Sequence, residues 1–74
     1  MATHSEMALR QIAGLCDDVK TCPKIFEDGS DVVVQGYDLD SATEGQLYLP
    51  DGESAVRLPG QLVLDAARRL IEGP

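Results

Sequence analysis

The chain has 74 residues, no tryptophan, three other aromatic side chains and a formal net charge of −7. That length makes one domain with an aliphatic core, and a chain so small buries only about 60% of its unfolded surface, which makes help from a partner or a second copy useful. The charge argues against nucleic acid or anionic lipid as a partner and favours basic protein surfaces. No apolar run approaches the ~20 residues of a membrane span.

The charge is concentrated. Glu27, Asp28, Asp31, Asp38, Asp40, Glu44, Asp51 and Glu53 fall in one stretch that contains no Lys or Arg, giving −8 there against +1 from the two flanks.

From the amino end, Thr3 followed by Glu6 has the form of a capping box. Leu9, Ile12, Cys16 and Val19 then recur at three- and four-residue spacing, which predicts a helix within residues 1–21, weakened at Gly14. Pro23 forces an extended approach at Cys22. Residues 22–58 read as two β-hairpins. The first pairs a short strand at 24–27 with the strand at 31–37 through Asp28-Gly29-Ser30, a sequence suited to a tight turn. Val32, Val33 and Val34 predict a strand buried on both faces, or with one face in the core and one in a partner. Gly36 marks a bulge or a close backbone approach. Residues 38–45 read as a loop or a single helical turn.

The second hairpin is expected from 46–49 and 54–58 around Pro50-Asp51-Gly52-Glu53, where Pro and Gly each supply a turn dihedral. Pro59 opens a carboxyl-terminal helix within residues 59–74, with Val63, Ala66, Ala67, Leu70 and Ile71 as its apolar stripe. Arg68 and Arg69 suit its last turns, and Gly73-Pro74 ends it.

The inventory for catalysis is thin. His4 is the sole histidine and sits near the amino end, a poor place for the tight geometry a nucleophile–base pair needs. Cys16 and Cys22 lack the second close Cys or His pair of a structural zinc site. Asp38, Asp40 and Glu44 do not follow the ligand spacing of a calcium-binding EF-hand loop. The glycines are isolated, so there is no phosphate cradle, and Arg68-Arg69 is too small a patch to hold nucleic acid against the overall charge. No basic segment followed by an apolar one opens the chain, so a cytoplasmic location and reduced cysteines are expected.

Protein contact is the remaining class. Tyr37 and Tyr48 are of the amphipathic type enriched at interfaces; they either pack beneath the two helices or face a partner.

The run Cys22-Pro23-Lys24-Ile25-Phe26, an acidic turn and Val32-Val33-Val34-Gln35-Gly36-Tyr37 resembles a family of short streptomycete proteins, as does Leu49-Pro50-Asp51-Gly52-Glu53-Ser54-Ala55-Val56 followed by Leu58-Pro59 and a helix. Such proteins tend to be encoded beside helix-turn-helix transcription regulators, and they are similar in plan to small actinobacterial proteins linked to developmental regulation. The resemblance covers roughly residues 22 to 70 and has no catalytic signature. It implies a non-enzymatic accessory protein working with a DNA-binding partner.

The expected architecture is therefore α+β, with a small antiparallel sheet of about four strands flanked by an amino-terminal and a carboxyl-terminal helix. The expected role is an acidic protein-binding module, without enzymatic activity, cofactor or metal, for a basic partner such as a helix-turn-helix regulator. Tyr37, Asp38, Asp40, Tyr48, Asp51 and Glu53 are the expected contact residues. The alternatives are a homodimer formed through the valine-rich strand, or a metal or redox protein built on the two cysteines.

Overall fold

The computed structural model describes residues 9–15 and 22–73. Three strands, β1 (Arg10–Gly14), β2 (Lys24–Asp28) and β3 (Asp31–Gln35), form an antiparallel sheet in the order β1-β2-β3. A one-turn helix α1 (Ser41–Glu44) follows, and α2 (Gly60–Glu72) closes the described chain. The α+β class is as expected; the finer plan is not.

The β2–β3 hairpin is the part the sequence specifies most directly. Asp28 pairs with Asp31 across the two-residue turn. Gly29 has φ 64° while Ser30 stays at negative φ, the combination of a type II′ turn, in which glycine belongs at the first central position. Lys24–Gln35, Ile25–Val34, Phe26–Val33 and Glu27–Val32 complete the register. By the alternation of a pleated strand, Ile25 shares a face with Val34 and Val32, and Phe26 shares the other with Val33.

The expected amino-terminal helix is corrected where it can be seen: residues 10–14 are a strand. The capping pair Thr3 and Glu6, and the stripe residues Cys16 and Val19, lie outside the described residues. β1 is irregular, with the register slipping between Gln11 and Ala13. That bulge lets Ile12 and Ala13, adjacent in sequence, both enter the core at 3% and 8% exposure. Arg10 ion-pairs with Glu27 across the β1–β2 ladder. The open edge of β2 offers ladder hydrogen bonds that outweigh a weak helical preference interrupted by Gly14.

The core consists of Ile12, Ala13, Ile25, Leu62 and Ala66, with Leu58 packed against it. α2 lies over β1 and β2. Its inward line is Leu62 and Ala66, set by Leu58 four residues before Leu62. The predicted stripe shared only Ala66 with this line: Val63, Leu70 and Ile71 are exposed. The helix is apolar on two sides, and the narrow Ile12–Ala13–Ile25 surface accommodates one of them. Pro59 stands at its N-cap, and Gly73, at φ 82°, closes it with a bond from its N–H to the Arg69 carbonyl.

The second hairpin is also corrected. Its turn is present, with Glu53 N–H on the Pro50 carbonyl at 3.0 Å and Gly52 at φ 92°, but the flanking segments do not pair as strands. Arg57 instead forms an isolated antiparallel bridge with Tyr37, exchanging bonds of 2.9 and 2.8 Å. Gly36 makes this approach possible. A Cβ there would lie 2.7 Å from the Arg57 carbonyl oxygen, 2.7 Å from Leu58 Cδ2 and 3.0 Å from Val56 Cγ2.

One further feature departs from expectation. Cys22 is disulfide-bonded rather than a reduced thiol; Cys16, the chain's other cysteine, lies outside the described residues. Beside it, Lys24 is 1% exposed and donates its ammonium to the Cys22 carbonyl at 2.7 Å, an oxygen that Gln35 Nε2 also reaches at 3.4 Å.

Candidate functional site

The acidic stretch spans β2, the hairpin turn, β3, α1 and the turn at 50–53. Two of its eight carboxylates have cationic partners among the described residues. Glu27 pairs with Arg10, and Asp40 with Arg57 at 3.3 Å. Asp31, Asp38, Glu44, Asp51 and Glu53 are exposed, Asp28 half-buried, and none of the six forms an ion pair with a described residue.

Asp40 is the best-defined of the predicted contact residues. It sits at the N-cap of α1, accepting from Thr43 N–H at 3.1 Å and from Thr43 Oγ1 at 2.8 Å. Arg57 donates to both Asp40 Oδ1 and Thr43 Oγ1, at 3.3 and 3.1 Å. The Thr43 hydroxyl, then its backbone N–H, hold the Asp40 carboxyl below its ordinary value, and the Arg57 charge adds to this. The signal for this cap was present in Asp40-Ser41-Ala42-Thr43-Glu44, an N-cap residue three positions before a hydroxyl. The recruitment of Arg57 was missed, because nothing local links positions 17 apart.

A carboxylate whose folded pKa is depressed contributes stability that is present above its unfolded value, near 3.8, and is lost as pH falls through the folded value. Asp40 is therefore expected to titrate below 3.8 in a carboxyl-detected NMR experiment, and Thr43→Ala to move it back up. A wild-type titration at 3.8 or above would contradict the cap.

Tyr37 follows β3, is half exposed, and is fixed by the bridge to Arg57. Through that bridge Tyr37, Arg57, Asp40 and Thr43 form one constellation, with Asp38 in the same connecting segment. Tyr48 is 87% exposed, and Asp51 and Glu53 are exposed on the turn at 50–53. No hydrogen bond or ion pair among the described residues joins Tyr48, Asp51 or Glu53 to the Tyr37–Asp40 group. Neither tyrosine is buried beneath α2.

Among the described residues no group of three or more His, Cys, Asp or Glu side chains is arranged to hold a metal, and no cavity opens. No helix of the described residues is long and apolar enough to cross a membrane. Compared with protein-family models, curated proteins and solved structures, the chain matches none.

Proposed function

We propose that the chain is a non-enzymatic acidic module that binds a basic protein, with a cytoplasmic helix-turn-helix transcription regulator as the partner. The partner class rests on the resemblance over residues 22–70. The observation that carries the reading is the set of six carboxylates with no cationic partner among the described residues, five of them exposed, in a chain that also presents Tyr48 at 87% exposure. Carboxylates of this kind speed encounter with a cationic surface and set its orientation, while aromatic anchors supply affinity. Tyr37, Asp38, Tyr48, Asp51 and Glu53 are the contact residues in this reading. Asp40 contributes by holding Arg57 and α1 in place as much as by its own charge.

The test is a titration against a purified helix-turn-helix regulator of the class that the resemblance implies. Raising salt from about 50 to 500 mM screens the carboxylates and is expected to weaken binding at least ~10-fold; an affinity indifferent to salt rejects the electrostatic reading. Tyr48→Ala is expected to weaken binding by roughly 10-fold, about 1.4 kcal/mol, without moving the unfolding midpoint. Undiminished binding by that variant would remove Tyr48 from the interface.

A further inference from the structure

Among the described residues β3 is the outermost strand of the sheet and pairs with β2 alone. Its three valines are 46%, 42% and 38% exposed. This is unusual for consecutive β-branched residues, which ordinarily pack against neighbours on a pleated surface. α2 covers β1 and β2 and leaves this strand projecting.

The direction of its backbone groups follows from the ladder. Asp28 and Asp31 close a two-residue turn as a hydrogen-bonded pair, so Asp31, Val33 and Gln35 turn their N–H and C=O groups toward β2. The bond from Leu15 N–H to the Pro23 carbonyl agrees with this phase, since it puts the odd residues of the β2 segment toward β1 and the even ones toward β3. Val32 and Val34 therefore direct theirs outward. No backbone bond from a described residue outside the strand reaches them. An edge that the described residues leave without a pairing strand, and with no inward-pointing charge, Pro or bulge among them to blunt it, is a template for another strand.

The sequence of the edge indicates which strand. Asp31-Val32-Val33-Val34-Gln35 is complementary to itself when read antiparallel about its centre. Val32 then meets Val34 of a second copy, Val33 meets Val33, and Asp31 meets the neutral Gln35. Parallel pairing in register would set Asp31 against Asp31, a repulsive juxtaposition. Antiparallel registers centred on Val32 or Val34 would align outward groups with the turn residue Ser30 or with Gly36, forfeiting ladder bonds. In the Val33-centred register both outward-facing residues of each copy are satisfied, and a twofold axis through Val33 makes the contact isologous.

We infer that the outer edge of β3 pairs with β3 of a second copy, antiparallel and centred on Val33, joining two three-stranded sheets into one. This goes beyond the binding of a basic partner and uses different residues. Two five-residue strands meeting edge to edge are expected to bury less than the ~1,600 Å² of a standard protein interface, so the dimer is expected to be weak. Each copy carries −7; salt screens the repulsion between copies, so self-association strengthens with salt whereas binding of a cationic partner weakens.

Sedimentation velocity on the full chain from about 10 µM to 1 mM, at roughly 20 and 500 mM salt, tests the pairing. The expected result is a monomer–dimer equilibrium shifted several-fold toward dimer at high salt. Val34→Pro removes an outward N–H without removing a donor of the β2 ladder; Val32→Lys places a charge on the edge. Both are expected to be monomeric, with circular dichroism confirming their fold, and either folded variant suffices. In the wild type, the Val32 and Val34 amides are expected to gain hydrogen-exchange protection with concentration, while Val33 is protected throughout. A wild type that stays monomeric at 1 mM and high salt overturns the inference. So does a dimer that survives both substitutions with Val32 and Val34 still exchanging freely, since its interface would lie elsewhere, as on the exposed side of α2.

Discussion

Gly36→Ala is expected to destabilise the protein by about 2 kcal/mol, the range for forcing an extra methyl into a packed site. A chain of this length has roughly 4–11 kcal/mol of stability in total. The added methyl would lie 2.7 Å from the Arg57 carbonyl oxygen, a backbone atom that cannot swing aside as a side chain can. That same oxygen accepts from Tyr37 N–H at 2.9 Å. Relieving the clash therefore opens the Tyr37–Arg57 bridge and withdraws Arg57 from Asp40 and Thr43. A urea melt should show the loss as a lower midpoint, and NMR should show the Asp40 titration moving upward with it. Gly60→Ala supplies the contrast. Nothing lies within 4 Å of a Cβ there, at the start of a helix that prefers alanine, so the change should be neutral or slightly stabilising. Equal effects from the two substitutions would dismiss the close approach at Gly36.

Loss of the disulfide at Cys22 should be comparable in size. With Cys16 the only other thiol in the sequence, an intramolecular bridge closes a short loop, for which chain entropy gives about 2 kcal/mol. Cys22→Ser, or wild type held in reductant, should unfold at a correspondingly lower denaturant concentration. Adding reductant to the serine variant should then change nothing further. An unfolding midpoint for the wild type that is the same with and without reductant would show that the bridge does not stabilise the fold.

How much of this was legible beforehand depends on where each segment finds its hydrogen bonds. The β2–β3 hairpin and α2 are locally determined, by Gly29 in the turn and by Pro59 and Gly73 at the helix ends, and both were readable. β1 was not. Leu9 and Ile12 have helical spacing, but the bulge that turns Ile12 and Ala13 inward together leaves no alternating trace in the sequence. The alternation of Leu47 with Leu49 and of Val56 with Leu58 is real, yet the backbone of Arg57 is engaged by Tyr37, a long-range competitor that no local pattern reveals. Val32, Val33 and Val34 predict a strand buried on both faces, or with one face in the core and one in a partner, because composition reports apolar character and not which element will cover it. The acidity of the surface could be read directly from the sequence. Its internal neutralisation at Asp40 and Glu27 required knowing which strands and turns become neighbours.

The carbonyl of Cys22 accepts from Lys24 at the start of β2 and from Gln35 at the end of β3. One peptide group thus anchors both rails of the hairpin beside the cysteine's sulfur linkage. Reducing that linkage is expected to loosen the corner where β2 begins and β3 ends, so Lys24 and Gln35 should respond to the redox state of the chain.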